Sequence, residues 1–598
     1  MQDIKAMGDS QKYYVFKIRD FVNNSFHTFE EKRMESLGQY IELCISTYDE
    51  YRMALDPSKL KRAYEGLVEG LDFQMQNHPF KQLPIFKNDF EHLHKLISLG
   101  SEQREKELDN IYRNIVVLKK KVDSTDLIEN YITCLMNTEK FQNMDYLMEA
   151  LVSDLLQMGY SLTYLVTWFK EQQEEFIKSN QQKNVITNLR KLNRTAEGYT
   201  IYIKFSINGN TQVDTVFKML SKQFEVKKSV ELEFDNMWVG EDYFVAYKEY
   251  QAYDITKAID MAHKEFNAIR ELLGMSQNNY GSLRDDPLYG WIEEGKFKTT
   301  DIRKINNVKM LEYMDESYKK QMKRFLDLKD VLENENTKTL ERILYTLYNA
   351  KSFKVQNRFL NFWSALEYTL YPFPRSTIIE KARVVVPEVF GLFYIKNKMN
   401  IFWKRLNYFV EKREEKYHVL SNFIITCKDV EADDFDTRKV IDYFQDFTRI
   451  KEMLGELSVH IVLTRECEEL YMLLNEPAKA VNAIDCYYQG IKHDLNYIYR
   501  LRNQLIHSAK DIDDSLEYVS MRLYRYVNSV LSTILYYEEK NCTYAIEDIL
   551  SSIDATYQEY CLEWRQEKNK KKQKEEEKKA FMVEDAYRMV RPAYLFME

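Results

Sequence analysis

Residues that interrupt helices are scarce throughout this chain. Its 598 residues include 16 glycines and 9 prolines, against usual shares of about 7% and 5%. Glycine carries the largest helix penalty among ordinary residues, and proline removes a backbone donor and blocks the preceding turn. A long chain with so few of either, rich in Leu, Lys, Glu and Met, has little to stop it from forming helices. The expected fold class is therefore mainly α. The length points to several domains. The 44 tyrosines and 33 phenylalanines are enough to fill wide helical cores and to supply partner surfaces.

Charge narrows the function classes. The 85 basic and 94 acidic residues give a formal net charge of −9. This is ordinary for a soluble protein and carries no overall nucleic-acid signature, so an RNA site would have to be a local basic patch. The cysteines Cys44, Cys134, Cys427, Cys467, Cys486, Cys542 and Cys561 are scattered, without a C-x-x-C pair or a histidine at zinc spacing. Free thiols in a reducing compartment are expected. There is no apolar signal core at the start and no run of about 20 apolar residues. The expectation is a cytoplasmic protein that does not span a membrane.

The apolar periodicity divides the chain. Residues 1–180 read as successive amphipathic helices, among them Tyr40–Tyr51, Ser101–Val122 and Leu127–Met136, with Ser161 placed as an N-cap. Residues 181–280 read as a small α+β domain. It has strands at Tyr199–Ile207, Ser229–Phe234 and Tyr243–Lys248, and a turn at Asn208–Asn210. Its helices are Val213–Gln223 and Asp254–Leu273, the latter capped by Asp254. The β-α-β-β-α order is that of a ferredoxin-like unit. Residues 281–349 read as a connecting segment, with Asn278–Gly295 a loop. Residues 350–545 form a helical domain, and Tyr371-Pro-Phe-Pro ends the helix of Trp363. Residues 546–598 read as a last helix and a charged tail. In that tail the Lys568–Lys579 run reads as a solvated face, and Tyr587–Phe596 is aromatic enough to dock.

The chemistry concentrates near one helix end, Arg500-Leu-Arg502-Asn503-Gln504-Leu-Ile-His507. Histidine moves protons near neutral pH, and arginine binds phosphate with two parallel hydrogen bonds. At about 100° per residue, Arg500, Asn503, Gln504 and His507 fall near one face, and Arg502 lies roughly 140° from His507. A site using both Arg502 and His507 needs a bend after Asn503 or a facing helix from another subunit. Upstream lies Arg358-Phe-Leu-Asn-Phe-Trp363-Ser-Ala-Leu-Glu367. Together the two segments resemble the ApeA-like group of HEPN domains, with an aromatic Trp/Glu helix first and an Arg-x4-6-His helix well downstream. The resemblance covers residues 350–540.

The resemblance implies a C-terminal HEPN helical bundle and a metal-independent endoribonuclease that acts by 2′-OH attack. His507 would transfer the proton, Arg502 would stabilise charge on the phosphate, and Asn503 would position His507 or the scissile phosphate. Arg500 would contact a neighbouring phosphate or form an ion pair. Glu367 would hold the fork of Arg500 or Arg502. The resemblance also implies a homodimer or higher homo-oligomer through the HEPN segment, with faces such as Tyr497 and Leu501 supplying the contact. The biological setting would be anti-phage defence by abortive infection, with the N-terminal region sensing a phage-derived trigger, holding the nuclease inactive, or both. The alternative is a HEPN module that assembles or binds RNA without cutting it.

No metal or other cofactor is expected. His92-x-His94 lacks a third ligand, Asp285-Asp286 suits turn chemistry, and His493 is four turns from His507 and reads as structural. The basic residues Lys396, Lys398, Lys404, Arg405, Lys412, Arg413 and Lys416 alternate with Phe402, Trp403, Tyr408 and Phe409. That mixture suits single-stranded RNA, with Lys404, Arg405, Lys412 and Arg413 as phosphate contacts. Its ordinary reading is an amphipathic helix with a charged face.

Overall fold

The computed structural model describes residues 8–24, 35–179, 182–207, 213–228, 243–275, 283–302, 308–329, 334–350, 355–412, 417–429, 434–508, 515–540 and 544–573. The protein is mainly α, 79% helical, with 24 helices and one five-stranded antiparallel sheet among these residues. The described residues form two compact units: one from Leu151 to Asp315, the other from the rest of the chain on either side. The sheet-bearing unit thus extends about thirty residues beyond each expected boundary, taking in a helix before the sheet and a hairpin after it.

In the sheet-bearing unit the strands are β1 (Glu197–Ile207), β2 (Glu225–Lys228), β3 (Phe244–Ala252), β4 (Leu283–Glu293) and β5 (Lys296–Asp301), in the order β2-β3-β1-β4-β5. Helices Val213–Leu220 and Ile255–Met275 follow β1 and β3. This is the split β-α-β arrangement with one added edge strand. Alternation along β1 sends Ile201, Ile203 and Phe205 to a core completed by Val216, Ala262 and Phe266 from the two helices. Asp254 joins two helix starts. It accepts from Lys257 N at 2.8 Å, capping its own helix, and from Ser161 N and Oγ at 2.7 and 2.8 Å. Ser161 in turn accepts from Tyr164 N at 3.2 Å at the start of helix Leu162–Ser179.

The segment expected as a loop at Asn278–Gly295 is mostly β4. Its Asp, Pro and Gly residues mask an alternating strand. The register between β1 and β4 slips where Asp285, Asp286 and Pro287 lie, and a bulge tolerates proline because no ladder donor is needed there. Glu294 and Gly295, with φ of 52° and 74°, then make the two-residue turn into β5 that matches strand twist. The candidate strand Ser229–Phe234 and the turn Asn208–Asn210 lie outside the described residues, as do residues 574–598, which hold half of the charged run and all of the aromatic tail.

The other unit is built around helix Pro477–Ser508, here the Arg502 helix. It packs against Ser58–Asn77, Ile378–Leu392, Ile461–Asn475 and Ile546–Gln573. Helix Val355–Leu370, the Trp363 helix, lies mainly against Ser515–Lys540 and Asn334–Asn349 and also touches the Arg502 helix. Gly66 and Gly70, one turn apart, let helix Ser58–Asn77 approach closely. A Cβ on Gly66 would sit 3.2 Å from Asn496 Nδ2, and one on Gly70 would collide with the Tyr40 hydroxyl. Helix Ile378–Leu392 opens on a capping box between Thr377 and Glu380 and runs through Pro387. Proline leaves the carbonyl four residues earlier without its helical donor. The Tyr488 hydroxyl fills that role on Arg383 O at 3.3 Å. The expected helix Ser101–Val122 is broken in two at Glu107.

Candidate functional site

The two motif-bearing segments meet. On the Trp363 helix, spacing of four residues puts Trp363 and Glu367 on one face, and the indole Nε1 donates to Glu367 Oε1 at 2.7 Å. The same oxygen lies 3.6 Å from a terminal nitrogen of Arg502. Arg502 Nη1 donates to Asn503 Oδ1 at 3.1 Å. Tyr499, one turn before Arg502, sets its ring 5.5 Å from that of Trp363. The result is a row of polar contacts from Trp363 through Glu367 and Arg502 to Asn503, with Glu367 and Arg502 each partly exposed. Arg502 Nε is buried and, among the described residues, has no hydrogen-bond partner.

Of the two roles set out for Arg500, the ion pair is the one it has. It is 3% exposed, donates from Nε to Thr47 Oγ1 at 2.8 Å, and lies 2.5 Å from Glu50. Gln504 is buried on the same side and donates to Ser46 Oγ at 3.2 Å. Arg500 and Gln504 thus face helix Leu37–Met53, and Arg502 and Asn503 turn toward the Trp363 helix. The Arg502 helix is continuous to Ser508. The side chain of His507 lies outside the described residues.

Tyr497 and Leu501, expected to face a second copy, are 0% and 5% exposed. Tyr497 stacks on Tyr40 at 5.3 Å. The chain's own N-terminal helices cover this face, so it cannot supply a contact between copies. Within the motif, Ile506 is exposed, at 46%.

A buried ionic group anchors the same helix. Arg522 donates to Asp494 from Nε at 3.1 Å and from Nη2 at 2.9 Å, and it also pairs with Glu35. The Tyr526 hydroxyl donates to Asp494 at 2.5 Å. A low-dielectric interior makes such pairs costly to break once assembled. The sequence signals for this group are weak, since its members lie on three separate segments.

The basic–aromatic stretch at 396–416 resolves toward its ordinary reading. Phe402, Trp403 and Phe409 are buried, packed on Phe423, Phe444 and Tyr417, and are unavailable for base stacking. Arg405 pairs with Glu466, and Lys398 with Glu469 at 3.2 Å. Lys404 and Lys412 are exposed, with Lys412 Nζ 5.2 Å above the exposed Tyr408 ring. Arg413 lies outside the described residues. Glu466 sits between Lys17, at 2.9 Å, and Arg405. Burial alone would raise its pKa, but these cations outweigh burial and bring it down to about 2.

His493 is buried against Phe73 at 5.3 Å, and desolvation, with Lys492 and Arg383 nearby, lowers its pKa to about 3. It is neutral at physiological pH. His94 Nδ1 lies 2.9 Å from Asp72. Among the described residues no group of three or more His, Cys, Asp or Glu side chains is placed to hold a metal ion, and no helix is long and apolar enough to cross a membrane. A cavity of about 260 Å³, lined by Tyr394, Arg465, Glu469, Lys479 and Asn482 among others, escaped the sequence reading because its walls come from unrelated helices. Comparison with known proteins finds no matching family model, no matching curated protein and no matching solved structure.

Proposed function

We propose that this protein is a metal-independent endoribonuclease of HEPN type, with Arg502, Asn503 and His507 as its catalytic residues and Glu367 as the residue that positions Arg502. The observation that supports the reading is the meeting of the two motif segments at Glu367 and Arg502, 3.6 Å apart. A partly exposed arginine braced on one side by a carboxylate suits stabilisation of charge that develops on a phosphate. His507, five residues on along the same helix, would take the 2′-OH proton. The oxygen would then attack the adjacent phosphorus, and the 5′-oxygen would leave with a proton, giving a 2′,3′-cyclic phosphate and a 5′-hydroxyl. The continuous helix leaves a second copy as the means of bringing Arg502 and His507 to one phosphate. The function in the cell would be defence against phage by RNA cleavage, after a trigger received by the N-terminal region.

The test is incubation of the purified protein with RNA in the presence of a chelator. Cleavage should persist, leave cyclic phosphate ends, and fall by about 10²–10⁴-fold in His507→Ala. Binding without cleavage would favour an RNA-binding module, and cleavage that requires metal and leaves 5′-phosphates would place the activity at another site.

A further inference from the structure

The cavity of about 260 Å³ lies within the unit of the Arg502 helix, between the start of that helix and helix Ile461–Asn475. Its inner wall is apolar. The Tyr394 and Tyr487 rings, 6% and 3% exposed, lie 5.0 Å apart beside Leu473 and Ala483. Its outer wall is polar, with Lys479 and Asn482 both reaching solvent. A mere packing void is apolar throughout, so this space is of another kind.

The charged groups around it are not equivalent. Asp145 accepts from the Tyr13 hydroxyl at 2.8 Å, and Glu469 pairs with Lys398 at 3.2 Å. Lys479 Nζ is bonded to Glu476 at 2.9 Å. Arg465 is held differently. Its guanidinium lies 5.5 Å over the Phe141 ring, and its ion pair with Glu468 is 3.7 Å long, beyond hydrogen-bond reach. Among the described residues its N–H donors therefore hold no hydrogen bond, although the side chain is only 22% exposed. The carboxylates are already engaged, while a planar fork of donors lines open space beside an apolar wall.

We propose that this cavity binds a small organic anion, with Arg465 and Lys479 meeting its carboxylate or phosphate group and Tyr394, Leu473 and Ala483 holding its apolar body. Arginine offers two parallel hydrogen bonds to either oxyanion. An apolar pocket with a few convergent polar groups is the usual form of a small-molecule site. Since about 150 Å³ holds one benzene, the space takes a ligand of roughly ten non-hydrogen atoms. The inference does not rest on the nuclease reading, because none of these residues belongs to its site.

Cys486 lines the cavity and is partly exposed, whereas Cys44, Cys134, Cys427, Cys467 and Cys561 are buried. Its thiol therefore reports occupancy. The test is alkylation of the full chain by iodoacetamide, with mass spectrometry following the Cys486 peptide. Benzoate or phenyl phosphate at about 10 mM should slow the reaction about threefold, as expected for a ligand of this size. The better protector of the two assigns the group as carboxylate or phosphate. Benzamide, which lacks the charge, and inorganic phosphate, which lacks the apolar body, should protect less. Arg465→Gln should abolish the protection and leave the unprotected rate unchanged. Ala483→Leu fills the space without touching a charge and should abolish binding of the same anion, read by saturation-transfer NMR. A parent protected by neither anion would overturn the proposal, as would equal protection by benzamide or inorganic phosphate. So would an Arg465→Gln or Ala483→Leu chain that melts like the parent and binds the anion equally well.

Discussion

Glu367 Oε1 serves two partners at once: it accepts the Trp363 indole N–H at 2.7 Å and lies 3.6 Å from the Arg502 guanidinium. The tryptophan fixes the carboxylate, and the carboxylate faces the arginine. Orientation thus passes from a buried ring on one helix to a partly exposed cation on another.

Glu367→Gln can keep the indole contact but loses the charge that faces Arg502. Under the proposed mechanism kcat for RNA cleavage should fall by up to about 100-fold with little change in KM, since a misaligned guanidinium acts on the transition state more than on binding. Unchanged steady-state kinetics in a variant that melts normally would assign Glu367 a structural role only.

If each cleft draws Arg502 from one copy and His507 from another, mixing an Arg502→Ala chain with a His507→Ala chain should restore part of the cleavage that each lacks alone. Size-exclusion measurements at assay concentration should show a dimer. Full activity in a strictly monomeric wild-type sample would rule the shared cleft out.

Glu388 is fully buried in helix Ile378–Leu392, and its neighbours include Asp554 and Gln558 of helix Ile546–Gln573. Desolvation first, and then the Asp554 charge, raise its pKa to about 9. A raised carboxyl pKa means that the folded state holds a proton the unfolded state has released. Its contribution to stability is therefore complete below about pH 4.5 and is lost as pH rises toward 9, by at most about 1.4 kcal/mol per pH unit. Glu388→Gln mimics the protonated form. Its Tm should exceed that of the parent at pH 8, and the gap should close by pH 5. A constant gap across that range would count against a buried neutral Glu388.

Glu466 works in the opposite direction. Lys17 and Arg405 hold it ionised against the cost of burial, with a pKa of about 2. The stability it contributes is present above about pH 4.5 and is lost as pH falls toward 2. Glu466→Gln leaves partly buried cations without their partner and should cost roughly 3–5 kcal/mol at neutral pH, measured by denaturant unfolding. The penalty should shrink in acid, and a penalty independent of pH would show that packing, not charge, accounts for it.

What the sequence revealed follows from the range of each interaction. Local patterns were readable: the Asp254 and Ser161 caps, the alternation in β1 and β3, and the end of the Trp363 helix at Tyr371-Pro-Phe-Pro each depend on neighbours within a few residues. The β4 strand was hidden because its bulge residues carry the composition of a loop. Pairing of Glu367 with one of the two arginines could be anticipated from the motifs, but the choice of Arg502 could not, because Arg500 is claimed by Thr47 and Glu50 from the far end of the chain. The same long-range packing turned Tyr497 and Leu501 from an expected interface into core, and it sank Phe402 and Trp403 out of reach of any nucleotide.

The placement of helices Leu37–Met53 and Ser58–Asn77 beside the Arg502 helix bears on how the chain can be divided. Residues near 350 look like the start of a separable C-terminal module, yet Thr47 and Glu50 partner Arg500 inside it, and Glu35 shares Arg522 with Asp494. A fragment beginning near residue 350 would leave two guanidinium groups without these partners and bare the groove that Gly66 and Gly70 fill. The N-terminal helices are therefore one wall of the unit that carries Arg502, so that unit is assembled from segments more than 400 residues apart in sequence, such as Thr47 and Arg500.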